Sequence, residues 1–341
     1  MNHFNKNSLM KTKVNYGIEI LRMLMSFWVI MNHCYDTKNY ILHNIIFCHK
    51  FHVPTFIIIS FFFLYKNLSV KNINKIKNRL EKLFIPYLIY PILIWLINNL
   101  IFINSEKKIY FRTLIIQFII GRGVHGVLWF HFNLIFITIL IYIFSFTFNK
   151  SYLFIFQILA IISYLMQFSN INFNFFNRYN NNIKFSVGYL VETFPLAVTG
   201  LTLSSLNIIK KLIEYRLKSI FFSIIFILIL FKYDIFILIK GFGKQGIMLN
   251  IGSILFFILF YLLPLEKIKI SNITLCIKYI TNHTAGIYFL HIIIYKILKK
   301  YIVLILKKKM LGCVIIYVIS YLVCFICFKR VKYSKLKYLF M

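Results

Sequence analysis

The sequence predicts an all-α fold: a polytopic integral membrane bundle of about ten transmembrane helices. Three observations predict it. Of the 341 residues, 60% are hydrophobic and the mean hydropathy is +0.80, whereas soluble domains run about 45–50% apolar. The excess is gathered into repeated runs, each near the length that crosses a bilayer core of about 30 Å. No polar stretch between those runs is long enough to be a soluble domain of its own.

Taken in order, the apolar runs place helices at Tyr16–Tyr35, Asn44–Tyr65, Leu83–Ile103, Val127–Phe148, Tyr152–Phe168, Phe185–Ile208, Ile220–Ile239, Gln245–Leu265, Thr284–Leu298 and Met310–Phe328. Leu114–Ile120 is too short to span and reads as a partial or interfacial helix. The segment Met1–Val14 is polar and carries Lys6, Lys11 and Lys13. No small-residue cleavage site follows the first apolar run, so no removable signal peptide is read. The chain thus divides into a cytoplasmic N-terminal segment (1–15), a transmembrane domain (16–328) and a basic cytoplasmic tail (329–341). No internal repeat is evident, which counts against transporter folds built from duplicated halves.

Orientation follows the basic residues. The loop after the second helix carries Lys66, Lys71, Lys75, Lys77, Arg79 and Lys82, and the tail carries Lys329, Arg330, Lys332, Lys335 and Lys337. Both place the two termini in the cytoplasm, in a multi-pass integral membrane protein. The formal net charge is +32. Charge of that size can mark a nucleic-acid binder. Here the lysines sit in short loops between apolar spans and form no continuous stripe, so the lipid bilayer is the expected partner and nucleic acid is not.

Six cysteines form no framework. Cys324 and Cys327 fall inside the last apolar run and read as packing residues, while Cys34 and Cys48 could approach one another. Gly-x-Ser-x-Gly, Gly-x-x-x-x-Gly-Lys and His-Glu-x-x-His are missing, and no metal site is expected. The glycines of Gly121-Arg-Gly-Val-His-Gly126 read as a turn rather than a cofactor cradle.

The chemistry concentrates on the first helix. Arg22 and His33 stand eleven positions apart, which is three turns plus about 20°, so they share one face about 16 Å apart along the axis. A charge in a span is costly and points to function. Glu19, three residues before Arg22, lies on the same face and would lower the cost of burying both. Imidazole exchanges protons near neutral pH and suits deprotonation of an alcohol, whereas guanidinium suits an anionic or polarised oxygen. The pair fits a reaction fed from one side of the membrane and completed toward the other. Further histidines, His49, His52, His131 and His291, lie near or within spans.

Several segments together resemble the membrane acyltransferase 3 family, which includes bacterial surface-glycan O-acetyltransferases. Asn15-Tyr-Gly-Ile-Glu-Ile-Leu-Arg22 with His33 is similar to the family's Arg-x10-His first helix and its preceding acid. Phe51-His-Val-Pro-Thr-Phe56 through Ser60 resembles the second helix, with Phe61 where the family has glycine. Arg79-Leu-Glu-Lys82 before Pro86-Tyr87 resembles an Arg-x-x-Arg motif, with Lys82 at the second arginine. Leu128-Trp-Phe-His131, Phe194-Pro195 through Gly200, and Gly286-Ile-Tyr-Phe-Leu-His291 resemble later segments, in family order across nearly the whole chain.

The resemblance implies transfer of an acyl group, typically acetyl, from cytoplasmic acyl-CoA to a hydroxyl of a glycan or lipid-linked sugar. Acyl-CoA would be a donor substrate, and no permanently bound cofactor is expected. Catalysis would fall to His33, Arg22 and Glu19. Arg79 and Lys82 would contact the donor, and His52, Trp129, His131 and His291 would contact the substrate. His33 would act either as a general base or as a covalent acyl carrier. A transporter or flippase of a lipid-linked saccharide is the competing reading, since it also needs many helices and intramembrane polar residues.

Overall fold

The computed structural model describes residues 15–34, 51–69, 73–101, 115, 118–119, 129–148, 151–168, 181–205, 208–239, 246–265, 271–301 and 309–341. Among these residues it is all-α, with twelve α-helices and no strand. They are α1 (Tyr16–Cys34), α2 (His52–Ser69), α3 (Ile73–Ile101), α4 (Trp129–Thr147), α5 (Tyr152–Phe168), α6 (Asn181–Ser205), α7 (Ile208–Glu214), α8 (Arg216–Ile239), α9 (Gly246–Leu262), α10 (Ser271–Thr281), α11 (Thr284–Tyr301) and α12 (Lys309–Val331). A 3-10 turn, Lys335–Leu339, follows.

The start of α1 shows how local sequence sets an element. Asn15 caps it, its Oδ1 accepting from the Ile18 amide at 3.1 Å, while its Nδ2 donates to the Tyr261 carbonyl of α9 at 3.1 Å. Ile18, Leu21, Met25 and Val29 then recur at helical spacing and are all buried. That stripe places α1 at the centre of the bundle, against α2, α9, α10, α11 and α12. Beside it, α2 packs on α6 and α9, α5 on α6, α8 on α9, and α3 on α4 and the 3-10 turn. Gly200 of α6 permits the approach to α2. A Cβ there would stand 2.5 Å from the Ile58 carbonyl oxygen and 3.0 Å from the Phe62 nitrogen.

Among the described residues, three helices are long and apolar enough to cross a membrane: Ile73–Ile97, Trp129–Thr147 and Leu311–Val331. Gly188–Ser205 and Ile208–Glu214, inclined at 64°, make a fourth if they form one broken span. Among the described residues His52–Tyr65, Tyr152–Gln167, Leu249–Leu262 and Thr284–Leu298 are apolar but shorter. Outward-facing Phe154, Ile161 and Leu165 of α5, and Phe221, Phe226 and Leu228 of α8, give the bundle an apolar exterior suited to lipid.

Several elements differ from the sequence reading. α3 begins at Ile73 rather than Leu83, so Lys75, Lys77, Arg79 and Lys82 lie on a helix and not in a loop. Lys, Arg, Leu and Glu favour helix, and Ile76 anchors the added turns in the core. α10 is too short for a span and escaped a search for long apolar runs. The final residues also pack back onto the bundle. Leu339 is buried, its carbonyl accepts from Tyr90 Oη at 2.6 Å, and the Gly286 amide donates to the Met341 carbonyl at 3.2 Å. Cys324 is fully buried. The Cys34–Cys48 approach, the Gly121–Gly126 turn and most of Leu114–Ile120 lie outside the described residues.

Candidate functional site

A cavity of about 900 Å³ opens among α1, α2, α3, α4, α6, α9 and α11. Its size is that of a pocket for a large small molecule. Along the beginnings of α1 and α3 it is lined by Glu19, Arg22, Lys75 and Arg79, three cations against one carboxylate. His131 and Tyr288 line it further along α4 and α11, between apolar walls from Phe56, Ile59, Phe130 and Leu134.

Each cation is positioned by its helix. Arg22 Nη1 pairs with Glu19 Oε2 at 3.1 Å, one turn earlier on α1. Its Nη2 donates to Thr284 Oγ1 at 3.1 Å, which ties α1 to the first residue of α11. Arg79 is held more tightly. Its Nη1 donates to the Ser60 carbonyl at 3.1 Å, Nη2 to Ser60 Oγ at 2.7 Å and Nε to Thr138 Oγ1 at 3.3 Å. The guanidinium also lies 5.2 Å from the Phe61 ring centroid. Arg79 therefore joins α2, α3 and α4 while keeping part of its fork toward the cavity. Phe61 serves as the ring beneath it.

The remaining candidates fall in different places. Lys82 does not line the cavity; it is exposed, 5.7 Å from the Tyr338 ring centroid. Trp129 stacks on Tyr189 at 4.0 Å outside the cavity lining. His52 is buried at the start of α2, likewise away from that lining. His131 is 4% exposed, lies 4.3 Å from the Phe289 ring, and its Nδ1 has no hydrogen-bond partner among the described residues.

His33 stands at the end of α1, exposed and outside the cavity lining. Its ring lies 5.3 Å from that of His291, which is fully buried on α11. Tyr288 connects the two regions, 6.1 Å from His291 and 6.0 Å from His131 by ring centroids. Cations, cavity and His33 thus follow one direction along α1 and α11. Thr284 escaped the sequence reading, and Lys75 and Tyr288 were read only as a basic residue and as part of the Gly286–His291 segment, with no role in the site. A helix-opening threonine, a tyrosine among apolar residues and one lysine among many carry no signal of their own. Among the described residues, no three His, Cys, Asp or Glu side chains cluster so as to hold a metal ion.

Such a site can hold a large anion by its charged end and present the rest of the molecule to neutral polar groups deeper in the bundle. A family model described as an acyltransferase domain matches residues 15–329. No curated protein and no solved structure matches the chain.

Proposed function

The chain belongs to the acyltransferase 3 family, and from that premise we propose that it is an integral membrane O-acyltransferase. It moves an acyl group, taken as acetyl, from cytoplasmic acyl-CoA to a hydroxyl of a cell-surface polysaccharide or lipid-linked sugar. The observation that carries the reading is the cavity, whose Arg22, Lys75 and Arg79 match an anionic, elongated donor. In this reading about ten spans cross a bacterial plasma membrane, both termini face the cytoplasm, and residues 16–328 form the acyltransferase domain.

The donor's phosphates pair with Arg22, Lys75 and Arg79, and Lys82 adds charge on the outer face of α3. Glu19 holds Arg22 in place. The acyl end reaches past Arg22 toward Tyr288. His33 takes the acceptor's proton as the hydroxyl oxygen attacks, or carries the acyl group first. His291 packs against His33 from inside the bundle, and His52 and Trp129 serve the acceptor.

The test uses the purified full chain in detergent, with labelled acetyl-CoA and a crude membrane-glycan extract. CoA release coupled to labelling of the glycan supports the reading. A flippase has no reason to cleave the thioester, so absence of CoA release overturns the proposal.

A further inference from the structure

We propose that His131 meets the carbonyl oxygen of the acyl donor, as a neutral imidazole whose N–H hydrogen-bonds that oxygen while it takes up charge. The inference rests on the acyl-CoA reading above and deepens it.

Position is the first ground. Along α4, His131 and Thr138 are seven residues apart, two turns on nearly one face and about 10 Å in rise. Thr138 accepts from Arg79, so His131 lies about two turns beyond the cation that anchors the charged end. Along α11, Thr284 accepts from Arg22, and Tyr288, four residues later, lines the cavity beside the His131 ring. His291 and His33 follow in the same direction. His131 therefore occupies a depth between the cations and the proposed base, where the reacting end of a donor held at Arg22 and Arg79 arrives.

Chemistry is the second ground. A buried polar atom left without a partner is costly. His131 Nδ1 is such an atom, enclosed where the ring packs against Phe289 and Phe130. Its Nε2 is not among the enclosed atoms and the ring borders the cavity, so Nε2 is the nitrogen that a ligand's polar atom can reach. Among the described residues no carboxylate pairs with the ring, and in this proposal it serves as a neutral donor, a form that polarises a carbonyl without giving up a proton.

The step balances without His131 exchanging a proton. The acceptor oxygen bonds to the carbonyl carbon and its proton passes to His33. The carbonyl π pair moves onto oxygen, where the His131 N–H meets it. That pair returns as the C–S bond breaks, and the bond's electrons leave on sulfur. The thiolate takes a proton from water, and His33 releases one.

The experiment reads the carbonyl directly. With acetyl-CoA labelled with ¹³C at the carbonyl and the purified full chain in detergent, the infrared C=O stretch shifts to lower wavenumber on binding. His131→Leu abolishes the shift and His131→Gln keeps part of it. His131→Leu also lowers kcat by about 10²–10³-fold, leaves KM within about threefold, and leaves thermal stability equal or higher. An unchanged stretch and kcat in His131→Leu overturns the assignment. So does equal loss of kcat and KM in both variants, which would mark a packing role. A wild-type chain that binds acetyl-CoA without releasing CoA overturns the reading of function, and the carbonyl shift still judges His131.

Discussion

His33 at the end of α1 and His291 in the middle of α11 face one another, with ring centroids 5.3 Å apart and planes tilted by 40°. A carbonyl cannot donate, so His291 Nδ1 must donate to the Ile287 carbonyl, at 3.2 Å. The bond leaves Nε2 as the lone-pair nitrogen, buried and without a partner among the described residues. His33 is thus the exposed member of a pair whose inner ring is fixed by its own helix. Replacing His33 with alanine removes the group that handles the acceptor's proton. It should lower CoA release by about 10²-fold or more. The side chain is exposed, so membrane insertion and thermal stability should not change. Initial rates on matched protein amounts check it, and near-wild-type rates would remove His33 from the chemistry.

The Glu19–Arg22 pair makes a prediction with two opposite signs. Glu19→Gln removes the single carboxylate from a lining that otherwise holds three cations. An anionic donor should then bind more tightly, with KM for acetyl-CoA falling about two- to fivefold at low salt and less at high salt. Arg22 keeps Thr284 but loses its charged partner, at 3.1 Å. The guanidinium becomes less well aimed, and kcat should fall about tenfold. Steady-state kinetics at two ionic strengths separates the effects. A rise in KM would mean that Glu19 does not oppose the donor's charge.

Arg79 is a structural clamp as well as a cavity cation, and the two roles separate. Ser60→Ala removes the 2.7 Å bond to Nη2 and should lower stability by about 1–2 kcal/mol. That is at the lower end for bonds to charged groups, because the cavity offers the freed N–H other partners. Arg79→Lys keeps the charge but cannot span Ser60 and Thr138 at once. It should both lower the thermal midpoint and raise KM for the donor. Thermal unfolding and KM measured on the same preparations check this; a lysine variant matching wild type in both would contradict the clamp.

What the sequence made legible followed from periodicity and from isolated charge. α5 was readable to its end residues, because Tyr152–Phe168 is an apolar run broken only by Gln157, Ser163 and Gln167 and holding no charge. Glu19, Arg22 and His33 were readable because ionisable groups are conspicuous in such a run. The start of α3 was not, since its basic first turns look like a loop until Ile76 and Arg79 are seen to be engaged. Nor was the division between cavity and non-cavity candidates. His131 and Trp129 are two residues apart on α4, yet one lines the cavity and the other stacks on Tyr189. Which neighbour a side chain meets depends on helix packing, and helix packing left no mark at either position.

His283 links pH to the docking of the C-terminal segment. It sits in the turn between α10 and α11, 3% exposed, with its ring 5.2 Å from Phe328 and 5.9 Å from Tyr321 of α12. Its Nδ1 bonds to the Phe340 carbonyl. Burial pushes the imidazole's pKa below its ordinary value, and the bond to Phe340 pulls weakly the other way. Above the ordinary value of about 6.5 the ring is neutral whether the segment is docked or released, and docking costs nothing. Below it the released ring binds a proton that the docked ring resists, so docking weakens as pH falls. Hydrogen exchange at the amides of Lys335–Leu339 should accelerate between pH 7.5 and pH 5 beyond the intrinsic chemical rate. His283→Phe, which fills the same aromatic niche without titrating, should remove that acceleration. Equal protection of the wild-type segment at both pH values would show that His283 does not control it.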